Sequence, residues 1–165
     1  MNNLSIRPAA IKDLHAITDI YNHAILNTVA AFDLEPKTLE EQRAWFEHHG
    51  EKHPVLVAVE GNAVIGWAAL SEWSDRQAYA GTAEVSLYIR EDSRGKGIGR
   101  ALGEAIIQAG REAGLHLLIA RIAEGNDISI HITESFGFEH IGVMKEAGRK
   151  FGRLLDVFMM QKILD

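Results

Sequence analysis

One short stretch limits this chain more than any other. Arg90–Leu102 reads REDSRGKGIGRAL, with Gly95, Gly97 and Gly99 at alternate positions among Arg94, Lys96, Ile98 and Arg100. It follows a strand-like segment and opens a helix-like one. Glycine admits backbone conformations and close approaches that other residues resist. The first turn of a helix adds unpaired N–H groups and the positive end of the helix dipole. With three basic side chains nearby, the stretch suits a pyrophosphate. A flexible strand–helix connection with a solvated basic face is the competing reading.

The glycine spacing excludes two familiar nucleotide cradles. A Walker A loop needs G-x-x-x-x-G-K-[ST], which the chain lacks. A dinucleotide fingerprint needs G-x-G-x-x-G after the first strand. Gly95-Lys96-Gly97 and Gly97-Ile98-Gly99 each supply the first half without the third glycine, and both lie mid-chain. What remains is R-x-x-G-x-G over Arg94–Gly99.

The flanking pattern predicts an α/β fold. Leu4–Pro8 reads as a first strand, and Asp13–Thr28 as a helix with apolar residues three and four apart. A second helix starts at Thr38, where Thr38 and Glu41 spell a capping box. Pro54–Glu60 and Ala63–Ser71 form a hairpin across Gly61–Asn62. In Thr82–Ile89 (TAEVSLYI), Val85, Leu87 and Ile89 alternate with Glu84, Ser86 and Tyr88. A helix with an apolar stripe from Ile98 to Ala113 stops at Gly114, and Leu115–Ala123 reads as a strand buried on both faces. A short helix spans Asn126–Phe136, and strands follow near Phe138–Lys145 and Leu154–Ile163. The strand–helix–strand unit over 82–123 requires a parallel pair. The hairpins around it predict a mixed, mostly antiparallel sheet with helices on both faces, in a single domain over residues 1–165.

Composition narrows the partners. The chain has 165 residues and a net charge of −6, which argues against nucleic acid as the main ligand. It has no cysteine, so disulfides, thiolate zinc sites and a cysteine nucleophile are excluded. No metal-ligand set is expected. No apolar run reaches the roughly eighteen residues of a membrane span, and MNNLSIRPAA has no signal-peptide pattern. The expectation is a cytoplasmic protein without a membrane partner. Ser86 and eight histidines do not make a hydrolase, because there is no G-x-S-x-G elbow.

With these residues in order, the chain resembles the GNAT superfamily of N-acetyltransferases, in its phosphinothricin or methionine sulfoximine acetyltransferase branch. The likeness is carried by the R-x-x-G-x-G loop, TAEVSLYI before it and NDISIHITESFGF after it. IYNHAILNT, PVLVAVEGNAVIGWAAL and GRKFGRLLDVFMMQKIL extend it over essentially the whole chain.

The resemblance implies a set of roles. Arg94, Gly95, Lys96, Gly97, Ile98, Gly99 and Arg100 would bind the pyrophosphate of acetyl-coenzyme A. The backbone of Leu87, Tyr88 and Ile89 would pair with the pantetheine arm, and one N–H there would polarise the thioester carbonyl. Asn126 would touch the cofactor arm while capping its helix. An amine attacks only as the free base, so a proton must leave, and Glu84 on the strand beside the loop is the candidate base. Burial is expected to tune that carboxylate for the task. An outward-facing, solvated Glu84 is the plain alternative.

On the acceptor side, Phe32, Arg76, Tyr79, Glu84, Val85 and Ser86 are the candidate contacts. Arg76 offers a bidentate fork for a carboxylate, phosphinate or sulfonyl oxygen. An ordinary surface-loop arginine is an equal reading. One departure from the family stands out: Thr133 occupies the place where many relatives carry a Tyr or His that protonates the leaving thiolate. Threonine is a poor proton source, and His131 should face elsewhere on the helix. The identity of the general acid is therefore open, and solvent can fill the role. The C-terminal GRKFGR cluster would line the site or a dimer contact, and a homodimer follows from resemblance alone.

The expected activity is transfer of acetyl from acetyl-coenzyme A to the α-amino group of a small amino-acid-like acceptor, by direct attack in a ternary complex. Phosphinothricin, methionine sulfoximine and methionine sulfone are the type acceptors. The alternatives are another primary amine, such as a polyamine or a protein N-terminus, and a non-catalytic acyl-coenzyme A sensor.

Overall fold

The computed structural model describes residues 3–165. The two-residue alternation of TAEVSLYI produces strand β4, Thr82–Ile89, with the boundaries that the sequence implies. Its Val85, Leu87 and Ile89 pack against one core, and Tyr88 packs into the other. Around it lie β1 (Leu4–Pro8), β2 (Val55–Glu60), β3 (Ala63–Glu72), β5 (Leu117–Ala123), β6 (Glu139–Lys150) and β7 (Arg153–Ile163). The helices are α1 (Leu14–Asn27), α2 (Leu39–His48), α3 (Ile98–Glu112) and α4 (Asp127–Ser135). One seven-stranded sheet results, in the order β1-β2-β3-β4-β5-β7-β6. Among the described residues only β4 and β5 run parallel, as a crossover through α3 demands.

Helices cover both faces. The stripe on α3 places Ile98, Leu102, Ile106 and Ile107 against Ala58, Ile65, Ala68 and Leu118 of the sheet. Leu102 and Ile106 are wholly buried, and each such side chain stabilises the fold by about 1.5–3 kcal/mol. On the opposite face, Leu14, Ile17 and Ile20 of α1, with Trp45 and Phe46 of α2, meet Val55, Val57 and Trp67. Gly114 ends α3 in a left-handed conformation (φ 81°), as its place after the stripe implies.

Four local expectations need correction. The Thr38 hydroxyl accepts from the Glu41 N–H at 3.1 Å, but the Glu41 side chain makes no return bond, so half of the capping box forms. Strand β5 begins at Leu117, and its Arg121 is exposed, so the strand is not buried throughout. Asn126 stands at the N-cap of α4 without a side-chain capping bond. Strand β6 runs past Lys145 to Lys150 through irregular pairing between Met144 and Gly148. That irregularity is braced from β7: Asp156 accepts from the Glu146 N–H (2.8 Å) and the Lys145 ammonium (3.1 Å). Both bonds hold the Asp156 carboxyl below its usual range.

Candidate active site

The sheet opens at its one parallel pair. β4 and β5 share three rungs, Thr82–Leu117, Ala83–Leu118 and Glu84–Ile119, and then separate. β4 stays paired with β3 up to Ile89, and β5 stays paired with β7 up to Ala123. The strands therefore splay between two intact ladders, and among the described residues β4 beyond Glu84 has no partner strand on that side. An unpaired strand edge can hydrogen-bond an extended amide-bearing chain as a further strand would.

A cavity of about 650 Å³ fills the opening. Glu84, Val85, Ser86, Leu87 and Tyr88 line it from β4, and Ala120–Ala123 from β5. Asn126, Ser129, Ile132 and Thr133 close it from α4, while Gly103, Ile106 and Ile107 contribute from α3. Val29, Ala30, Phe32 and Asp33 form a further wall, with Met144 and Ala147 of β6.

At the base of the splay stands an ion pair that the sequence did not advertise. Arg121 donates from Nε to Glu84 Oε2 at 2.5 Å and from Nη2 to Oε1 at 2.7 Å. Such a bidentate, charge-assisted pair fixes both planes. Glu84 is 22% exposed and Arg121 is 47% exposed at the side chain, so the carboxylate meets a cation and solvent rather than dry hydrocarbon. The Glu84 contact holds the guanidinium more firmly protonated, against the opposing effect of burial. The Trp73 ring lies 5.3 Å from the Arg121 Cζ.

The Val29–Asp33 wall is held by distant parts of the chain. The Tyr88 hydroxyl donates to the Ala30 carbonyl (3.1 Å), and the buried Lys150 ammonium donates to the Ala31 carbonyl (2.5 Å). The Tyr21 hydroxyl donates to Asp33, and Lys37 pairs with Asp33 at 3.3 Å. Burial pushes the phenols of Tyr21 and Tyr88 well above their ordinary value, so both remain donors. Burial lowers the Lys150 ammonium, partly offset by Asp33. The Phe32 ring lies on the Gly148 backbone, where a Cβ would fall 2.4 Å from its Cε2.

The glycine loop lies outside the cavity lining. Gly95 (φ 77°) and Gly97 (φ 82°) adopt left-handed conformations, with open space where a Cβ would stand. Gly97 is the N-cap of α3, leaving the first N–H groups of that helix toward an exposed surface. Gly99 has a different reason: a Cβ would fall 3.3 Å from Ile132 and 4.0 Å from Leu87, two residues of the cavity wall. The loop thus abuts the wall where β4, α3 and α4 meet. Arg94, Lys96 and Arg100 are exposed, as a surface anion site requires.

The structure brings together some sequence-identified residues and separates others. Phe32, Glu84, Val85, Ser86, Leu87, Tyr88 and Asn126 all line the cavity. Ile89 and residues 94–100 do not. Arg76 and Tyr79 line a neighbouring depression with Trp73, Ser74 and Ala78, which meets the main cavity at Arg121. Thr133 is buried in the cavity wall, and His131 is turned outward toward Glu134, as the helix register implies. Tyr21, Asp33 and Arg121 are new, and Lys150 belongs to the GRKFGR cluster that the sequence assigns to the site or a dimer contact. Arg121 had a readable signal, being the single Asp, Glu, Lys or Arg in the run LHLLIARIA.

An unpaired strand edge leading to a glycine-rich helix start fits a long phosphorylated donor with amide links. The comparisons agree. Residues 6–159 match the model of the acetyltransferase (GNAT) domain. The chain is 42% identical over 163 residues to an L-methionine sulfoximine/L-methionine sulfone acetyltransferase of Pseudomonas aeruginosa, covering 98% of this chain and 95% of that one. It is 36% identical to a phosphinothricin N-acetyltransferase of Streptomyces coelicolor, covering 98% and 96%. The solved phosphinothricin acetyltransferase of Sinorhizobium meliloti in complex with acetyl-CoA superposes with a TM-score of 0.94 at 37% identity, covering 98% of this chain and 88% of that one. The chain belongs to the GNAT acetyltransferase family, and it is an N-acetyltransferase that takes its acetyl group from acetyl-coenzyme A.

Proposed function

We propose that the chain acetylates the α-amino group of a small amino-acid-like acceptor of the phosphinothricin, methionine sulfoximine or methionine sulfone type. The observation that carries this reading is the cavity at the β4–β5 splay, with a carboxylate and a guanidinium at its base. The names of the relatives support the acceptor class.

Acetyl-coenzyme A supplies an activated acyl carbon. The backbone of Leu87–Ile89 holds the extended arm, with one N–H directed at the thioester oxygen. Arg94–Arg100 and the first turn of α3 hold the pyrophosphate, and Asn126, whose side chain makes no capping bond, contacts the arm. Glu84 accepts the proton of the acceptor amine, directly or through a water. The amine nitrogen then bonds to the acyl carbon, its second proton passes to solvent, the carbon–sulfur bond breaks, and the thiolate is protonated by solvent. Thr133 has no part as a proton source. Phe32, Val85 and Ser86 contact the acceptor from the cavity, and Arg76 and Tyr79 from the adjoining depression.

The same reading treats the chain as one catalytic domain, cytoplasmic and without nucleic-acid or membrane partners. The net charge of −6 supports the lack of a nucleic-acid partner, and among the described residues no helix is long and apolar enough to cross a membrane. A homodimer is proposed along the edge strand β6, where Ile141 and Val143 are exposed, with Phe151 and Leu154 exposed at the hairpin end of the same strand pair.

The test is thiol release from acetyl-coenzyme A with phosphinothricin, methionine sulfoximine and methionine sulfone, beside spermidine and an N-terminal peptide. Release with the first three supports the reading. Release only with spermidine or the peptide overturns the acceptor class, and acetyl-coenzyme A binding with no release favours the sensor.

A further inference from the structure

Among the described residues, Arg121 is the one Lys or Arg lining the main cavity, and it also lines the depression with Trp73, Arg76 and Tyr79. A guanidinium presents two forks to carboxylates, one through Nε and Nη2 and one through Nη1 and Nη2. Glu84 takes the first. Among the described residues, Nη1 donates to no protein group, and the side chain is 47% exposed at the junction of the two hollows. The Trp73 ring packed at Cζ holds the guanidinium in place. Each Glu84 oxygen, bonded once to Arg121, keeps a lone pair for a further donor.

We propose that the free fork of Arg121 holds the α-carboxylate of the acceptor while the Glu84 carboxylate receives its amine, so that the preformed pair reads the acceptor as a zwitterion. This rests on the amino-acid reading above and narrows it. A cation and an anion fixed side by side match the adjacent carboxylate and amine of a free α-amino acid. A polyamine has no anion for Arg121. A peptide N-terminus offers an amide carbonyl there, which is a weaker partner than a carboxylate. The other acid in the lining, Asp33, is already engaged by Tyr21 and Lys37. Arg121 is thus a specificity residue, with a role that sequence reading had given to Arg76.

The test compares methionine sulfone, its carboxamide and its decarboxylated amine as acceptors, for the wild type, Arg121→Met and Arg121→Lys. Binding of acetyl-coenzyme A, measured by calorimetry, reports whether each variant keeps the donor half of the site. The wild type should favour the acid over the amide and the amine by roughly 10- to 100-fold in kcat/KM, as expected for charge-assisted bonds. Arg121→Met, which also frees Glu84, should lower activity on all three acceptors but most on the acid and so abolish the preference, and Arg121→Lys should keep part of it. Equal loss on all three acceptors in Arg121→Met would make Arg121 only a positioning residue for Glu84 and overturn the proposal. A preference that survives in Arg121→Met would also overturn it. If that variant fails to bind acetyl-coenzyme A, the wild-type ratio decides alone: a ratio near one overturns the proposal. A wild type active on all three equally defeats the zwitterion proposal only, whereas one inert toward all three defeats the functional reading as well.

Discussion

The Lys150 ammonium donates to the Ala31 carbonyl at 2.5 Å from a residue that is only 4% exposed. The two residues lie 119 positions apart, yet this bond fixes the Val29–Asp33 wall of the cavity to the tip of the β6–β7 hairpin. In Lys150→Met the Ala31 carbonyl loses this donor, and the wall loosens. The KM for the acceptor should rise by up to about tenfold, the equivalent of one hydrogen bond of about 1.4 kcal/mol. The Kd for acetyl-coenzyme A should stay within about twofold, because the glycine loop is carried by other segments. Steady-state kinetics with calorimetry checks the split, and an unchanged acceptor KM contradicts it.

Gly97 tests the loop in the opposite direction. Its φ of 82° is costly for an L side chain although nothing obstructs a Cβ. Gly97→Ala should lose about 1–2 kcal/mol of stability from backbone strain alone, seen as a lower Tm. If the strain is relieved by reshaping the loop, acetyl-coenzyme A binding weakens while the acceptor KM holds. A variant with unchanged Tm and Kd contradicts this account of the loop.

Asp13 carries a pH dependence remote from the cavity. Its carboxylate, 4% exposed, accepts from Arg7 at 2.7 and 2.9 Å and from the Ala10 N–H at 2.8 Å. The hydrogen bonds to Arg7, more than the opposing burial, hold its carboxyl below the ordinary value of 3.8. A folded-state value below the unfolded one stabilises the protein above the ordinary value, and that stability fades as pH falls through the lowered one. Asp13→Asn should cost about 1–3 kcal/mol near neutral pH and lose this part of the acid dependence. Urea unfolding at neutral and acid pH measures both. Parallel curves for the two proteins contradict the assignment.

Much of the frame was readable in the sequence because it is set by local pattern. TAEVSLYI alternates, so β4 has the boundaries that its residues imply, and Gly97 and Gly114 punctuate α3 because each must adopt positive φ. Glu84, Ser86 and Phe32 reach the cavity because their strand and loop border it, and Val85 and Leu87 from the other face of β4 line it as well. The rest depends on pairing between distant segments. The splay after Glu84 is a property of the sheet, and with it came the Arg121 pair that no spacing predicts. Arg76 and Tyr79 fell in the neighbouring hollow because the chain turns through a short helix at Gln77–Tyr79 before β4. Strand β6 runs past Lys145 because its irregular stretch between Met144 and Gly148, with the positive φ of Glu146, is braced at Lys145 and Glu146 by Asp156 on the next strand.

The central claim is that Glu84 takes the proton of the acceptor amine in the cavity where β4 and β5 part. The direct measurement is the pH profile of kcat for the wild type and Glu84→Gln, using methionine sulfone and saturating acetyl-coenzyme A. Glutamine keeps the size of the side chain and removes its basicity. We expect kcat near neutral pH to fall by roughly 10²- to 10⁴-fold, the usual contribution of a general base, with acetyl-coenzyme A affinity nearly intact. As pH rises and more of the acceptor is already the free base, the deficit should narrow. A variant that turns over at the wild-type rate across the whole range would contradict the account.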